Sequence, residues 1–483
     1  MGRNRKRRYI EPFEVDIEKI GKKGVGVGLA PDGSPVWVKF GVPNARLLVH
    51  PTGRRKGHWD ARPMKMLRKP EGWTKAPCPS FGVCGGCTLQ ELNLTQQRKF
   101  KEDYALEQVI TEKNITLESL QENVRIYPIR GSQDAYKYRN KVEFSFGNKQ
   151  FLSDEEFQEG LDIEGKFLGF HASGRFDRIV DRENCWLVAD EVNELLSILR
   201  KYTLKEDAPP TWNPRTHQGF WRHAMFRHGQ KTNEILLALY TFATTNPKEE
   251  QAIEELVSAL QTHQLANNTK LVGVVWLENT SVADVAQGNV KKIWGQDWFE
   301  EQLGSVHYKL SYRSFFQTST DGAVVLYDTI SEALGNAKGT LYDLYCGVGS
   351  IGLYLSDKFD KIIGIEEIPE AVEDARLNAQ LNNITDATYH VAKVENVLEE
   401  LPHSGDSIAI VVDPPRAGLH HKVARTLANA QGDILIYVAC NPASLGRDAL
   451  FFEQGRWKMT KLWSVDLFPQ TGHIEMVARF EPK

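Results

Sequence analysis

Three rhythms of apolar and polar residues follow one another along the chain. From residue 9 to about 65, short runs alternate with glycine: Phe13-Glu14-Val15-Asp16-Ile17, Gly24-Val25-Gly26-Val27-Gly28 and Val36-Trp37-Val38-Lys39-Phe40. Runs of this length read as strands, and Asp32-Gly33 reads as a tight hairpin turn. Small strands at this spacing predict a compact five-stranded barrel of the oligonucleotide-binding kind. A Pro/Gly/Cys-rich connector follows to about residue 90, and then a charged helical segment over Leu94–Lys113. Residues 125 to about 310 read as α+β, with strands at 141–146, 234–240 and 271–277 and a helix over 248–263. From about 321 helix and strand alternate. A helix over 321–334 leads to a strand at 340–345, and a strand at 361–366 to a helix over 369–381 with Pro369 in its first turn. A strand at 408–412 leads to a helix near 420–430, and one at 434–439 to a helix near 444–454. Strands near 461–466 and 474–480 finish the chain. This pattern predicts a doubly wound, Rossmann-like parallel sheet with a C-terminal hairpin. The expected organisation is a barrel over 1–68, a central α+β domain over 69–310 and an α/β domain over 311–483. The helical segment 94–124 is expected to pack on the last of these.

Composition adds one asymmetry. The 483 residues are 41% hydrophobic and 25% charged, ordinary for a soluble globular protein. The net charge of −4 conceals 18 Lys/Arg against 7 Asp/Glu in residues 1–75, a net of +11 there and −15 elsewhere. A basic module on an acidic body predicts a polyanionic partner, although Arg3 to Arg8 alone also fits a solvated tail. No run is long enough to span a bilayer. The basic start is followed by no apolar stretch, so no secretory signal is read, and Lys6 stands where myristoylation wants Ser or Thr. Six cysteines in a chain of this length make no disulfide scaffold, which fits a reducing, cytoplasmic setting with cysteines serving metal or catalysis. No obligate protein partner is evident.

The chemistry gathers at strand ends, where open α/β sheets place their ligands. Ile436-Tyr437-Val438-Ala439 runs into Cys440-Asn441-Pro442, and 408–412 runs into Asp413-Pro414-Pro415. The strand at 340–345 opens into Gly347-x-Gly349-x-x-Gly352, where glycines let a ligand approach the backbone. Glu366, at the end of the next strand, is placed to hydrogen-bond a ribose, and Asp343 is a second polar handle. A dinucleotide and S-adenosylmethionine both fit such a loop. Hydride transfer has no use for a strand-end thiol beside Asp-Pro-Pro, whereas methyl transfer to an unreactive ring carbon does. Cys346 reads as packing. Cys78, Cys84 and Cys87 with the distant Cys185 suit a four-thiolate site for zinc or an iron–sulfur cluster.

Asp413-Pro414-Pro415-Arg416-Ala417-Gly418, Cys440-Asn441-Pro442-Ala443-Ser444-Leu445 and Gly472-His473-Ile474-Glu475 occur in that order, after Phe315-Phe316-Gln317. Together they resemble the motifs of the uracil-5 RNA methyltransferase family over nearly the whole chain. The resemblance implies a TRAM-type barrel, a [4Fe-4S] cluster on Cys78, Cys84, Cys87 and Cys185 in preference to zinc, and S-adenosylmethionine as cofactor. It implies Cys440 as nucleophile, Glu475 as general base and Asp413 beside both cofactor and uracil. Gln317, Tyr345, Glu366 and Asp413 match cofactor-contacting positions, with Gly347, Gly349 and Ser350 in the loop. Ser350 stands where some relatives carry Asn. Lys393 stands where others have Asp or Asn, so no contact is assigned to it. Cytosine-5 enzymes typically have Pro-Cys at the Asp-Pro-Pro position and a second cysteine later, so this chain reads as a uracil enzyme. The implied substrate is 23S rRNA. The alternatives are the T-loop of tRNA, or a non-catalytic RNA-binding ribosome assembly factor. Trp37, Phe40, Trp59 and Trp73 are candidate base-stacking residues.

Overall fold

The computed structural model describes residues 11–397 and 407–483; the basic run Arg3 to Arg8 lies outside the described residues. Val15, Ile17, Ile20, Val36, Val38, Leu47 and Val49 are buried in one cluster. They are the inward positions of strands that close into a five-stranded barrel. Round the barrel the order is Phe13–Ile20, Gly26–Leu29, Pro35–Val38, His58–Arg68 and Arg46–Arg55. Glycine is required at one crossing, since a Cβ on Gly28 would lie 2.3 Å from the carbonyl oxygen of Asp16. Of the aromatic residues named above, Phe40 is buried, Trp37 stacks on His58, and Trp59 and Trp73 lie under Arg54 and Lys69.

The central part is a seven-stranded sheet in the order Ile179–Asp181, Glu164–His171, Lys141–Lys149, Trp221–Gly229, Glu234–Thr241, Lys270–Glu278, Asn289–Gly295. Its one parallel pair, Glu234–Thr241 with Lys270–Glu278, is joined by helix Pro247–Thr262, as a parallel crossover requires. That helix and Asp190–Thr203 cover one face of the sheet. On the other face Met225, Leu236, Tyr240 and Val275 join Phe299, Tyr308 and Leu310 of a hairpin, Trp298–Leu303 with Val306–Ser311, in a core that continues to Leu326, Leu341 and Val477. The hairpin is thus the filling between central and C-terminal sheets. Sequence alone did not reveal it.

The C-terminal sheet runs Ala387–Val391, Lys361–Glu366, Thr340–Leu344, Ile408–Val412, Ile434–Ala439, Glu475–Pro482, Trp457–Asp466. The first five strands are parallel and the last two antiparallel. Chain direction round the sheet reverses between Thr340–Leu344 and Ile408–Val412, the switch point at which such sheets open a crevice. Helix Leu94–Lys113 buries Ala105 and Val109 against Leu445, Ala449 and Phe452 of helix Pro442–Gln454. Arg125–Ile126 then pairs with Trp457–Asp466 at the sheet edge.

Candidate active site

A cavity of about 1200 Å³ opens at this switch point. Gln317, Tyr345, Gly347, Glu366, Asp413, Cys440 and Glu475 all line it. Gly349 and Ser350 do not. Ser350 accepts a hydrogen bond from the Tyr327 hydroxyl at 2.9 Å on its Oγ, and its carbonyl takes one from the Tyr308 hydroxyl. It works at the base of the loop, so the Ser-for-Asn difference falls on packing.

The glycine loop is drawn back onto its own strand. The amide of Gly352 donates to Asp343 Oδ2 at 2.8 Å, and the amide of Gly347 to Glu366 Oε2 at 3.2 Å. Glu366 Oε1 accepts from the amides of Glu367 and Ile368, which fixes the carboxylate at the cavity wall. Gly347 has φ +54°, and a Cβ there would meet nothing within 4 Å. The loop therefore offers bare backbone to a ligand. Asp343 Oδ1 is buried without a hydrogen-bond partner among the described residues. Burial raises the Asp343 carboxyl to about 7, and burial followed by the charge of Asp343 raises Asp413 to about 7. Asp343 lies behind the cavity wall, and the wall itself carries seven carboxyl groups against three arginines, an excess of acid. A cationic ligand, such as a sulfonium, offsets that excess.

The motifs around Cys440 hold one another. Asn441 stands at the N-cap position of helix Pro442–Gln454 without a side-chain cap bond, and its Nδ2 donates instead to the Arg416 carbonyl at 3.2 Å. Arg447 Nη2 donates to the Ala417 carbonyl, and Asp448 Oδ2 accepts from the Leu419 amide at 2.8 Å. The Cys-Asn-Pro segment thereby fixes the Asp-Pro-Pro-Arg turn. Burial pushes the Cys440 thiol up to about 12, aided by the charges of Glu475 and Asp413 and opposed by Arg416. Glu475 is 4% exposed, and burial and then Asp413 hold its carboxyl well above the usual range. His473 approaches Arg416 Nη2 with Nδ1 at 3.4 Å, and burial and then Arg416 depress it to about 4. Arg416, Arg139 and Phe468 also line the cavity. Sequence reasoning assigned them no role, though Arg416 carried a signal as the charged residue of its motif.

Cys78, Cys84, Cys87 and Cys185 line a separate cavity of about 50 Å³. Burial raises the thiols of Cys84 and Cys87 to about 11 and about 12, with the neighbouring cysteines adding to the rise. Among the described residues no three His, Cys, Asp or Glu side chains form a group that could hold a metal ion. The four thiols share a cavity without composing a ready ligand set. No helix of the described residues is long and apolar enough to cross a membrane.

The family model for tRNA (uracil-5-)-methyltransferase matches residues 231–481. An uncharacterized RNA methyltransferase of Caldanaerobacter subterraneus subsp. tengcongensis is 33% identical, over 98% of this chain and 99% of its own. Another, from Chlorobaculum tepidum, is 33% identical over 97% and 96%. The crystal structure of Pyrococcus abyssi tRNA (uracil-54, C5)-methyltransferase in complex with S-adenosyl-L-homocysteine superposes with a TM-score of 0.72 at 25% identity, covering 97% of this chain and 99% of that one. The two relatives and the solved structure span barrel, central sheet and C-terminal sheet alike, and the chain belongs to the uracil-5 RNA methyltransferase family as an S-adenosylmethionine-dependent RNA methyltransferase.

Proposed function

We propose that this protein methylates carbon 5 of a uridine in 23S rRNA, with Cys440 as nucleophile and Glu475 as general base. The observation that carries this reading is the convergence of Cys440, Glu475 and Asp413 on the cavity wall that also holds Gly347 and Glu366. S-adenosylmethionine, when bound, supplies an electrophilic methyl group on a positively charged sulfur. Gly347, Tyr345, Glu366, Gln317 and Asp413 are the residues that would hold it. Cys440, as its thiolate, adds to carbon 6 of the uracil, forming a carbon–sulfur bond and making carbon 5 an enolate carbon that would take the methyl as the methyl–sulfonium bond breaks and S-adenosylhomocysteine leaves. Glu475 removes the proton left on carbon 5, the carbon–sulfur bond breaks, and the thiolate is restored. A thiol raised to about 12 is a poor nucleophile as it stands. Arg416 and the N-terminus of helix Pro442–Gln454 favour its thiolate, and a cation in the acidic cavity does the same. The uridine reaches this wall only when flipped from any stack.

The barrel, over 1–68, is read as the RNA-binding TRAM module of a three-part enzyme with divisions near 68 and 310. The four-cysteine cavity is read as the seat of a [4Fe-4S] cluster, with zinc second. Soft thiols suit both, and either would have to displace the thiol protons. A cytoplasmic location goes with reduced thiols. The second reading of the substrate is tRNA, favoured by the whole-chain likeness to a tRNA uracil-54 enzyme. Transfer of labelled methyl to purified 23S rRNA and to tRNA, followed by nucleoside analysis, tests the proposal. 5-Methyluridine in rRNA supports it; 5-methyluridine confined to tRNA establishes the second reading, and none in either overturns both in favour of a non-catalytic assembly factor.

A further inference from the structure

Cys440, Arg416 and His473 line not one cavity but two. The second, of about 340 Å³, is walled by Lys22, Lys23, Tyr104, Arg416, Ala417, Asn441, Pro442 and Gly472 among others, and no carboxylate contributes. The larger cavity carries Asp297, Glu366, Glu367, Glu370, Asp374, Asp413 and Glu475. Two chambers of opposite character thus meet at one thiol.

The lysines come from the barrel. Residues Lys22–Gly24 form the turn between strands Phe13–Ile20 and Gly26–Leu29, with Lys23 at φ +63° and Gly24 at φ +72°. Gly24 lies flat against Gly472 of the Gly-His-x-Glu loop: a Cβ on Gly472 would fall 2.1 Å from the Gly24 nitrogen. Only two glycines allow that approach, and it brings the turn against the loop leading to Glu475. Lys19, on the same strand, is engaged by Glu107. Lys22 and Lys23 are exposed, and among the described residues no ion pair engages them.

We propose that the Lys22–Gly24 turn is a phosphate seat built into the catalytic centre. A phosphodiester group flanking the target uridine docks between Lys22, Lys23 and Arg416, and the base reaches Cys440 through the basic chamber while the methyl donor fills the acidic one. This rests on the uridine reading above. It makes the barrel a direct part of the active site as well as a general attractor of RNA. Each lysine acts as a point charge on a non-bridging oxygen, so the contact positions without reading sequence.

The test pairs Lys22→Gln/Lys23→Gln with Lys56→Gln/Lys65→Gln, which removes two exposed barrel cations absent from the chamber wall. RNA affinity is measured against salt concentration for the full-length protein, with S-adenosylmethionine affinity and thermal stability as checks on folding. The first variant is expected to weaken RNA binding roughly tenfold, flatten the log–log salt slope by about 0.7, the value for one single-strand phosphate contact, and slow covalent capture of RNA by Cys440. Cofactor affinity stays unchanged. The second variant is expected to lose affinity without slowing capture from the bound state. Equal behaviour of the two variants, or loss of cofactor affinity in the first, overturns the seat. Failure of the wild-type protein to form 5-methyluridine is a separate result, and it overturns the uridine reading itself.

Discussion

The amide of Thr88 donates to the carbonyl of Gln470 at 2.8 Å, and the amide of Leu89 donates to the same oxygen. These bonds tie the cysteine-bearing connector to the loop that delivers His473 and Glu475. Gln470 sits at φ +69° and is held again by Gln97, which accepts from its amide at 2.8 Å. A non-glycine residue persists in that conformation only when its surroundings over-determine it. Cys87→Ser is therefore expected to loosen more than the connector. Hydrogen exchange should quicken across residues 467–475 as well as around residue 87, and quickening confined to the connector contradicts this coupling.

Lys101 and Asp466 form a fully buried pair at 2.6 Å, and Lys101 also donates to the Phe468 carbonyl. Removing one member of a buried pair leaves an uncompensated charge. Lys101→Met is expected to destabilise the fold by about 3 kcal/mol and to lower methyl transfer through the loosened loop. A melting temperature equal to that of the wild type would show that Arg98, whose Nε lies 3.5 Å from Asp466, suffices alone.

Gly349 has φ +78°, and a Cβ there would lie 2.8 Å from the Tyr389 hydroxyl. Gly349→Ala is expected to cost about 1–3 kcal/mol and to weaken S-adenosylmethionine binding by displacing the loop. Unchanged cofactor affinity in calorimetry contradicts the placement of the loop against the ligand.

The carboxyls of Asp343 and Asp413 are raised from 3.8 to about 7 in the fold. Between about pH 4 and pH 7 the folded protein thus holds protons that the unfolded chain has released. The contribution of these groups to stability falls as pH rises through that window and is level above it. A cationic ligand favours the ionised carboxylates. Its binding is expected to release protons near pH 7 and to tighten as pH rises from 6 to 8. Calorimetry in buffers of differing ionisation enthalpy reads the proton count directly; proton uptake would contradict the assignment of the acidic chamber to the cofactor.

What the sequence revealed was local. Cys440, Asp413 and the loop from Gly347 each follow an apolar run broken by proline or glycine, so a strand end is visible within a dozen residues. The barrel was visible for the same reason, its strands being short and joined by tight turns. The supports were not visible. Lys101 reaches Asp466 across 365 positions and Gln97 reaches Gln470 across 373, and no periodicity encodes such a tie. Arg125–Ile126 is too short to show a strand pattern and exists only by pairing with Trp457–Asp466. No sequence pattern sets Lys22 and Lys23 apart from the other cations of residues 1–75; only folding sets their turn against Gly472.

In the proposed reaction Cys440 attacks the uracil and Glu475 releases it. Glu475→Gln protein incubated with S-adenosylmethionine and substrate RNA, then resolved by denaturing electrophoresis, tests it most directly. A slow-migrating protein–RNA species that carries the labelled methyl group is expected, and it vanishes in Cys440→Ala/Glu475→Gln. Persistence of that species without Cys440 would contradict the assignment of Cys440 as nucleophile.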